Sequence, residues 1–249
     1  MKKKNILITG SEGLIGKSFR KFMEKKSKNI FCIDLKNIKR KNYFKCDITN
    51  ENQVKKVIES ISKKNKIDVL INNASVNPNA DSKMKTFKFT DYSLEKWKKN
   101  IEVDIVGSFL VSKYALRVFQ KQNYGKIINI SSIYGLVGPD QNLYTSKTKK
   151  YYGYKNLEYS VAKAGLIGFT KALASFYKSS KIEIICFILG GIENKPPKKF
   201  KQKYNSKNIS QRMAKVGEYN EIINFYCSDK ASYVSGSCVY VDGGALSIL

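Results

Sequence analysis

The stretch Ile6-Leu-Ile-Thr-Gly10-Ser-Glu-Gly13-Leu-Ile-Gly16 decides the fold of this 249-residue chain. An apolar run of strand length leads into three glycines, and a helical pattern follows over residues 14–26. Glycine permits a tight turn and lets backbone N–H groups come close to a ligand. The N-terminus of a helix favours anionic groups such as phosphates. The stretch therefore predicts a strand, a phosphate-binding turn and a helix.

Apolar runs of strand length alternate with helical patterns along the rest of the chain. Several of these runs are apolar throughout, as in strands that helices cover on both faces. The alternation predicts a single α/β domain over residues 1–249, with a doubly wound parallel sheet of about seven strands. The expected strands cover residues 5–9, 30–34, 43–46, 69–71, 126–130, 183–188 and 238–241. The expected helices cover residues 14–26, 51–63, 94–120, 159–177 and 218–227.

The net charge of +26 comes from 42 lysines and only 4 arginines, spread along the whole length. Phosphate and base recognition favours arginine, whose planar guanidinium forms paired hydrogen bonds. The lysine excess is also what an AT-rich coding sequence would produce. Nucleic acid is therefore not the expected partner, although the charge should concentrate phosphorylated metabolites near the protein.

Cysteine and histidine usage limits the chemistry. The five cysteines have scattered spacings, and the chain contains no histidine, so neither a zinc site nor a Ser-His or Cys-His nucleophile is expected. No metal is predicted. No apolar run reaches the ~18 residues that span a bilayer, and the apolar stretch near Met1 is too short for a signal peptide. We expect a cytoplasmic protein with reduced thiols and no membrane insertion.

Asp34 ends the second predicted strand, where a carboxylate can accept hydrogen bonds from both hydroxyls of an adenosine ribose. It would also repel a 2′-phosphate, and Glu12 in the glycine turn would add to that repulsion. Lys36, Lys39 and Arg40 act in the opposite direction because they could hold a phosphate. The balance predicts NAD as the cofactor, with NADP less favoured.

Two further loops follow predicted strands. Asp47 could accept a hydrogen bond from the adenine amino group, or it could lie in a turn before a helix capped by Thr49 or Asn50. The segment Asn72-Asn73-Ala74-Ser75 is small and polar, which suits a backbone lying against the nicotinamide ribose.

Tyr159 and Lys163 are four residues apart on a predicted helix, and therefore share one face. A free tyrosine titrates near pH ~10, and a fixed cation beside it favours the phenolate that acid/base catalysis needs. The pair Ser131-Ser132 ends the preceding apolar run. A Tyr-x-x-x-Lys pattern alone is weak evidence in a chain with 16 tyrosines and 42 lysines.

In this order and spacing, the motifs resemble the short-chain dehydrogenase/reductase superfamily over nearly the whole chain. The resemblance implies hydride transfer between a nicotinamide and a carbinol or carbonyl carbon. It implies that Tyr159 is the general acid/base, that Lys163 holds the nicotinamide ribose and favours the phenolate, and that Ser132 orients the substrate oxygen. The matching residues are Thr9-Gly10, Asp34, Asp47, Asn72-Asn73-Ala74-Ser75, Ser132, Tyr159, Lys163, Gly190-Gly191 and Val241-Asp242-Gly243-Gly244.

The resemblance also implies a full set of site residues. The catalytic set is Ser132, Tyr159, Lys163 and Asp104. The cofactor-binding set is Gly10, Ser11, Glu12, Gly13, Leu14, Ile15, Gly16, Asp34, Asp47, Ile48, Asn73, Ala74, Ser75, Ile130, Tyr159, Lys163, Gly190 and Ile192.

Four features depart from the family pattern. The family usually has Asn at Asp104, where it anchors a water-mediated proton relay to the lysine. We expect Asp104 to pair with Lys163 instead, or to serve the relay through its backbone carbonyl. Leu189-Gly190 stands where the family has Pro-Gly, and the glycine turn has the spacing of a longer, sugar-nucleotide branch. The segment between Ser132 and Tyr159 is about twice the usual family length.

Two polar segments, residues 138–157 and 193–215, interrupt the alternation and are expected to cover the substrate. Together with Ser131-Ser-Ile-Tyr-Gly135 and Arg212-Met213-Ala214, they resemble a subgroup encoded with surface-polysaccharide and flagellin-glycan genes. This narrower resemblance implies a sugar or sugar-nucleotide substrate. The alternatives are a 3-oxoacyl or ketone reductase of the same fold, and a catalytically silent NAD-binding sensor or partner subunit.

The family usually assembles through two long helices, which here correspond to residues 94–120 and 159–177. Both carry apolar residues on more than one face, and the sheet alone could bury them. We expect a homodimer or homotetramer.

Overall fold

The computed structural model describes residues 3–77, 89–144, 154–178 and 180–248. Within these ranges seven parallel strands form one sheet in the order β3-β2-β1-β4-β5-β6-β7, which confirms the predicted doubly wound fold. The strands are β1 (Asn5–Thr9), β2 (Asn29–Asp34), β3 (Tyr43–Lys45), β4 (Val69–Asn72), β5 (Gly125–Ser132), β6 (Ile182–Leu189) and β7 (Cys238–Val241).

Helices cover both faces of the sheet. They are α1 (Leu14–Met23), α2 (Glu51–Ser62), α3 (Leu94–Ile101), α4 (Ser108–Gln122), α5 (Leu157–Phe176), α6 (Lys198–Asn205) and α7 (Glu218–Cys227). In β1, Leu7 packs into the core under α2 and α4, whereas Ile6 and Ile8 pack into the core under α1 and α7. Because both faces of β1 are buried, its three central residues, Ile6, Leu7 and Ile8, are all apolar instead of alternating with polar residues.

The predicted helix over residues 94–120 is continuous, but it is not α-helical throughout. A π-helical turn, Glu102–Gly107, separates α3 from α4. Such turns place an extra residue in the helix, often at functional sites. Here the turn contains Asp104, whose buried carboxylate accepts a hydrogen bond from the backbone N–H of Val76. The contact between Asp104 and Val76 therefore occurs where the helix changes from α to π, and the apolar periodicity of the sequence does not predict such a change.

The predicted covering segment 193–215 is also more regular than expected, because it contains α6. Two aromatic residues one turn apart, Phe200 and Tyr204, form an apolar stripe that packs with Tyr144 and Met213. Lysines occupy most of the other positions of this short helix, and they hide the stripe in the sequence.

β1 and β4 are neighbours in the sheet, and the chain leaves them in opposite directions to build the two halves. In open α/β sheets a ligand binds beyond the carboxyl ends of the strands at such a switch point. The loops that follow β1 and β4 therefore frame the expected site. Among the described helices, none is long and apolar enough to cross a membrane.

Candidate active site

The turn after β1 packs so closely against backbone that two of its glycines have no room for a side chain. Gly10 has φ +63°, and a Cβ atom there would lie 2.7 Å from the Cα of Ala74. A Cβ at Gly16 would lie 2.2 Å from the carbonyl oxygen of Gly10. The Asn73 Nδ2 donates to the carbonyl oxygens of Thr9 and Gly10, at 3.0 Å each. Asn73 therefore holds the turn itself, a role that the sequence did not reveal.

The carboxyl ends of the strands enclose a cavity of about 1080 Å³ that runs from the glycine turn to Tyr159. At one end α1 begins without a side-chain cap and without an acidic residue in its first turn. Its first N–H groups have no intrahelical acceptors, so they can receive an anionic group such as a pyrophosphate. The volume of the cavity and this uncapped helix fit a dinucleotide.

Asp34 and Glu12 place two carboxylates beside the turn. Asp34 accepts hydrogen bonds from the backbone N–H groups of Glu12, at 2.9 Å, and of Lys36, at 3.2 Å. Glu12 is paired with Arg40 at 2.6 Å and with Arg20 at 3.4 Å. Burial would raise the pKa of Glu12, but Arg40 and Arg20 hold the pKa of this carboxyl below its usual value. The sequence left open that Arg40 holds the 2′-phosphate of NADP. In the structure the Arg40 guanidinium pairs with the Glu12 carboxylate instead.

Asp47 lines the cavity, and its Oδ1 also accepts from the backbone N–H of Thr49 at 2.9 Å and from the Thr49 hydroxyl at 2.8 Å. Asn50 caps α2 by accepting a hydrogen bond from the N–H of Gln53. The local turn described as an alternative from the sequence is therefore present. It leaves the Asp47 side chain on the cavity wall, beside Ile48.

The residues at the other end of the cavity come from β5 and α5. Lys163 Nζ lies 5.6 Å from the centroid of the Tyr159 ring and donates to the Ile130 carbonyl at 3.0 Å. The Ser131 hydroxyl is used internally, since it donates to the Lys163 carbonyl at 2.7 Å. Ser132 lines the cavity, and its Oγ accepts from the Tyr134 N–H at 3.3 Å.

Asp104 lies behind Lys163 and pairs with it at 3.0 Å, with side-chain exposures of 0% for the aspartate and 4% for the lysine. The same carboxylate accepts from the Ser75 hydroxyl at 2.6 Å and from the Val76 N–H at 3.0 Å. Burial alone would lower the pKa of Lys163, but the Asp104 carboxylate outweighs it and raises that pKa above its usual value. Lys163 and Asp104 therefore form a charged pair that ties the loop after β4, the π-helical turn and α5 together.

Most of the predicted site residues meet at this cavity. Ser11, Gly16 and Asp104 are the exceptions, since they support the wall from behind and do not line it. The two predicted covering segments also line the cavity, through Tyr144, Lys155, Asn194, Lys195, Pro196, Pro197, Phe200, Tyr204 and Met213. Lining residues that the sequence did not assign to the site include Leu35, Val76, Asn77, Lys99, Val103 and Tyr134. Lys155 lies in the predicted cover 138–157, but as one of 42 lysines it was not singled out as a site residue.

The two predicted covering segments contact each other over the substrate end. The 3-10 turn Gln141–Tyr144 packs on α6, with the Tyr144 and Phe200 ring centroids 5.2 Å apart. Lys207, beyond α6, pairs with Asp140 at 2.7 Å. Residues 145–153 of the first segment lie outside the described part of the chain.

All five cysteines are free, and four of them are buried. Within the described ranges, no group of three or more His, Cys, Asp or Glu side chains could hold a metal ion.

Comparison with known proteins shows the family to which the chain belongs. Residues 24–245 match the sequence model of a family described as enoyl-(acyl carrier protein) reductase. The 3-oxoacyl-(acyl-carrier-protein) reductase FabG of Aquifex aeolicus is 31% identical over 203 residues, which cover 80% of this chain and 73% of that protein. The FabG protein of Rickettsia felis is 27% identical and covers 98% of both chains.

Among solved structures, a short-chain dehydrogenase from Leptospira borgpetersenii with bound NAD+ has a TM-score of 0.86 at 28% identity. The match covers 98% of this chain and 92% of that one. The chain belongs to the short-chain dehydrogenase/reductase superfamily. It is an NAD(P)-dependent oxidoreductase of that class.

Proposed function

We propose that this protein transfers hydride between NAD(H) and a secondary alcohol or ketone, with Tyr159 as the proton donor and acceptor. The observation that carries the proposal is the shared cavity. Tyr159, Lys163 and Ser132 line one end of it, and the glycine turn lines the other. A cofactor held by that turn would extend toward Tyr159, because both ends open on the same edge of the sheet.

Each residue has a distinct role in this proposal. The nicotinamide supplies hydride transfer when bound. In the oxidative direction, Tyr159 removes the proton from the substrate hydroxyl, and Ser132 holds the substrate oxygen by a hydrogen bond. Lys163 contributes positive charge beside the Tyr159 ring, reduced by its pairing with Asp104. In reduction the same tyrosine returns the proton to the nascent alkoxide.

NAD is proposed over NADP because of the charges around the adenosine end. Asp34 presents a carboxylate near the expected ribose position, and Arg40, which could hold a phosphate, is paired with Glu12. A 2′-phosphate there would meet negative charge. The NAD+ bound to the Leptospira relative supports the same choice.

The relatives favour a 3-oxoacyl thioester as the substrate, which was the alternative in the sequence analysis. The aromatic wall formed by Tyr144, Phe200 and Tyr204 is suited to an apolar chain. The comparisons do not support the surface-glycan role ahead of this one.

A sugar or sugar-nucleotide substrate is the second candidate, and a specific observation favours it. Lys155, Asn77 and Asn194 add polar groups to the wall of the substrate end. Such groups suit a compact, hydroxyl-rich or anionic ligand better than an acyl chain. The silent sensor remains as an outcome of the experiment below.

The experiment compares the wild type with Tyr159→Phe, using NAD and NADP and a panel of 3-oxoacyl thioesters and sugar nucleotides. We expect NAD to bind better than NADP in a calorimetric titration. Turnover should fall by about 10²–10⁴-fold in the variant, because the general acid/base is lost while the cofactor site is intact. NAD binding without turnover of any substrate in the wild type would favour a sensor, and binding of neither dinucleotide would contradict the proposal.

The proposal also includes the domain organisation, the oligomeric state and the cellular location of the protein. Residues 1–249 form one domain, with segments 138–157 and 193–215 as substrate covers, supported by the contact between Gln141–Tyr144 and α6. The protein is a homodimer or homotetramer, as is usual in its superfamily. It is located in the cytoplasm, a proposal that the free cysteines support.

A further inference from the structure

Lys155 is a buried ammonium group at the substrate end of the cavity. The residue is 9% exposed, and its Nζ lies 4.1 Å from the centroid of the Tyr159 ring. It donates a hydrogen bond to the Oδ1 of Asn77. An ammonium group has three donors, so this bond leaves capacity for another acceptor. Lys155 is therefore directed at the place where the reacting carbon would lie.

The carboxylates that face Lys155 are used by other groups. Asp104, on the π-helical turn, is 3.0 Å from Lys163. Glu158, in the first turn of α5, accepts hydrogen bonds from the Tyr92 hydroxyl and from Asn156. Within the described ranges, no carboxylate oxygen lies within 4 Å of Lys155 Nζ. The other titratable groups on the wall of the same cavity include Lys163, Tyr159 and, on the turn after β5, Tyr134.

This placement carries an electrostatic cost. Burial, and then the neighbouring charge of Lys163, lower the pKa of Lys155 to about 8, against the attraction of Glu158 and Asp104. A buried charge without a contacting counter-ion is unfavourable, and such groups concentrate at functional sites. An anionic ligand would supply the missing contact and would remove the cost.

We propose that Lys155 binds an anionic oxygen group of the substrate, a carboxylate or a phosphate, beside the carbon that exchanges hydride. The inference rests on the proposed function and deepens it by naming the substrate class. Of the two candidate substrates it selects the second, as an acidic hydroxy compound such as a sugar acid or a phosphorylated sugar, over the acyl thioester that the relatives favour. Lys155 thereby acts as the residue that determines substrate specificity.

The test measures anion binding to the wild type and to Lys155→Gln by calorimetry at pH 7, with and without saturating NADH. The probes are malonate, inorganic phosphate and the neutral isostere malonamide. We expect malonate or phosphate to bind at least about tenfold more tightly than malonamide, because a charged hydrogen bond is added. Lys155→Gln should lose this preference, and Lys155→Arg should keep most of it. Whichever anion shows the effect identifies the group as carboxylate or phosphate.

Matched controls separate this site from general charge effects. Lys171 is exposed on the same helix, so Lys171→Gln removes one positive charge elsewhere and should leave anion binding unchanged. NADH binding by Lys155→Gln reports that the variant is folded. If the wild type does not bind NADH, that result contradicts the proposed function but not the anion site.

Two results would overturn the inference. One is equal binding of the anions and malonamide by the wild type. The other concerns Asp81, which is the only acidic side chain within residues 78–88 and 145–153. The wild type would fail to bind the anions, and Asp81→Asn would bind them. That result would mean that the Asp81 carboxylate, and not an anionic substrate, is the counter-ion of Lys155.

Discussion

At the scale of single residues, the site is governed by how four charges are divided among Asp104, Glu158, Lys155 and Lys163. Asp104 contacts Lys163 directly, so the charge that Lys163 presents to Tyr159 is partly cancelled. Lys155 lies closer to the Tyr159 ring than Lys163 does, at 4.1 Å against 5.6 Å from its centroid. The positive field at Tyr159 therefore comes from two lysines, one of which the sequence did not single out.

The burial of Lys155 predicts a pH-dependent stability. Its pKa is about 8 in the folded chain and 10.5 ordinarily, so the unfolded chain binds more protons between these two values. The free energy of unfolding should therefore rise as the pH increases from 8 to 10.5, and the destabilisation is complete below pH 8. Lys155→Met should stabilise the ligand-free protein at pH 7 by up to about 3 kcal/mol, and this gain should vanish near pH 10.5.

Urea denaturation at pH 7 and at pH 10.5 checks this expectation. Lys171→Met is the matched control, since Lys171 is exposed on α5 and its substitution should change stability by less than about 0.5 kcal/mol at either pH. A gain in Lys155→Met that is the same at both pH values would show that packing, and not charge, causes it.

At the scale of elements, the site depends on the close approach of α5 and the turn after β5. Gly135 ends the 3-10 turn Ile133–Gly135, and a Cβ there would lie 2.7 Å from the backbone carbon of Lys163. Ser132 and Tyr159 are carried by the two elements that meet at this contact. The spacing between these elements therefore sets the distance between the two proposed catalytic hydroxyls.

Gly135→Ala should separate the turn from α5, because the clash is with backbone and no side-chain rotation relieves it. We expect a loss of about 2 kcal/mol in the free energy of unfolding and a fall in kcat, measured by urea denaturation and by steady-state turnover. Gly138→Ala is the control in the same segment, since its Cβ would meet nothing within 4 Å. Equal effects of the two substitutions would argue against the contact as their cause.

At the scale of the whole molecule, the helices predicted to form the subunit interface expose apolar side chains. Leu94, Val106, Phe109 and Val161, on α3, the π-helical turn, α4 and α5, are 41–64% exposed. The sequence placed the subunit interface on these helices, and a second copy of the chain would cover the exposed side chains. Large apolar patches on a protein surface commonly mark such contacts.

Phe109→Asp should weaken self-association, raising the dissociation constant of the oligomer by at least about tenfold, because a charge would be buried against apolar groups. Light scattering coupled to size-exclusion chromatography over a range of concentrations measures this change. Phe109→Leu keeps an apolar side chain and should retain the wild-type mass. A wild type that is monomeric at all concentrations would refute the assignment of this surface.

The sequence by itself determined the sheet, the glycine turn and most of the cavity wall. These features follow from local patterns: β1 is apolar because both its faces are buried, and Gly10 is required where φ is positive. The short-chain dehydrogenase/reductase superfamily followed from the order of the motifs.

Only the tertiary structure decided which charges meet. Asp104 reaches Lys163 through a π-helical turn, and Arg40 reaches Glu12 across the glycine turn. Lys155 lies over the Tyr159 ring, although the sequence placed it only within the covering segment 138–157. Local periodicity reports which face of an element is buried, whereas a charge pair depends on the distance between elements remote in sequence. That distance is set by packing.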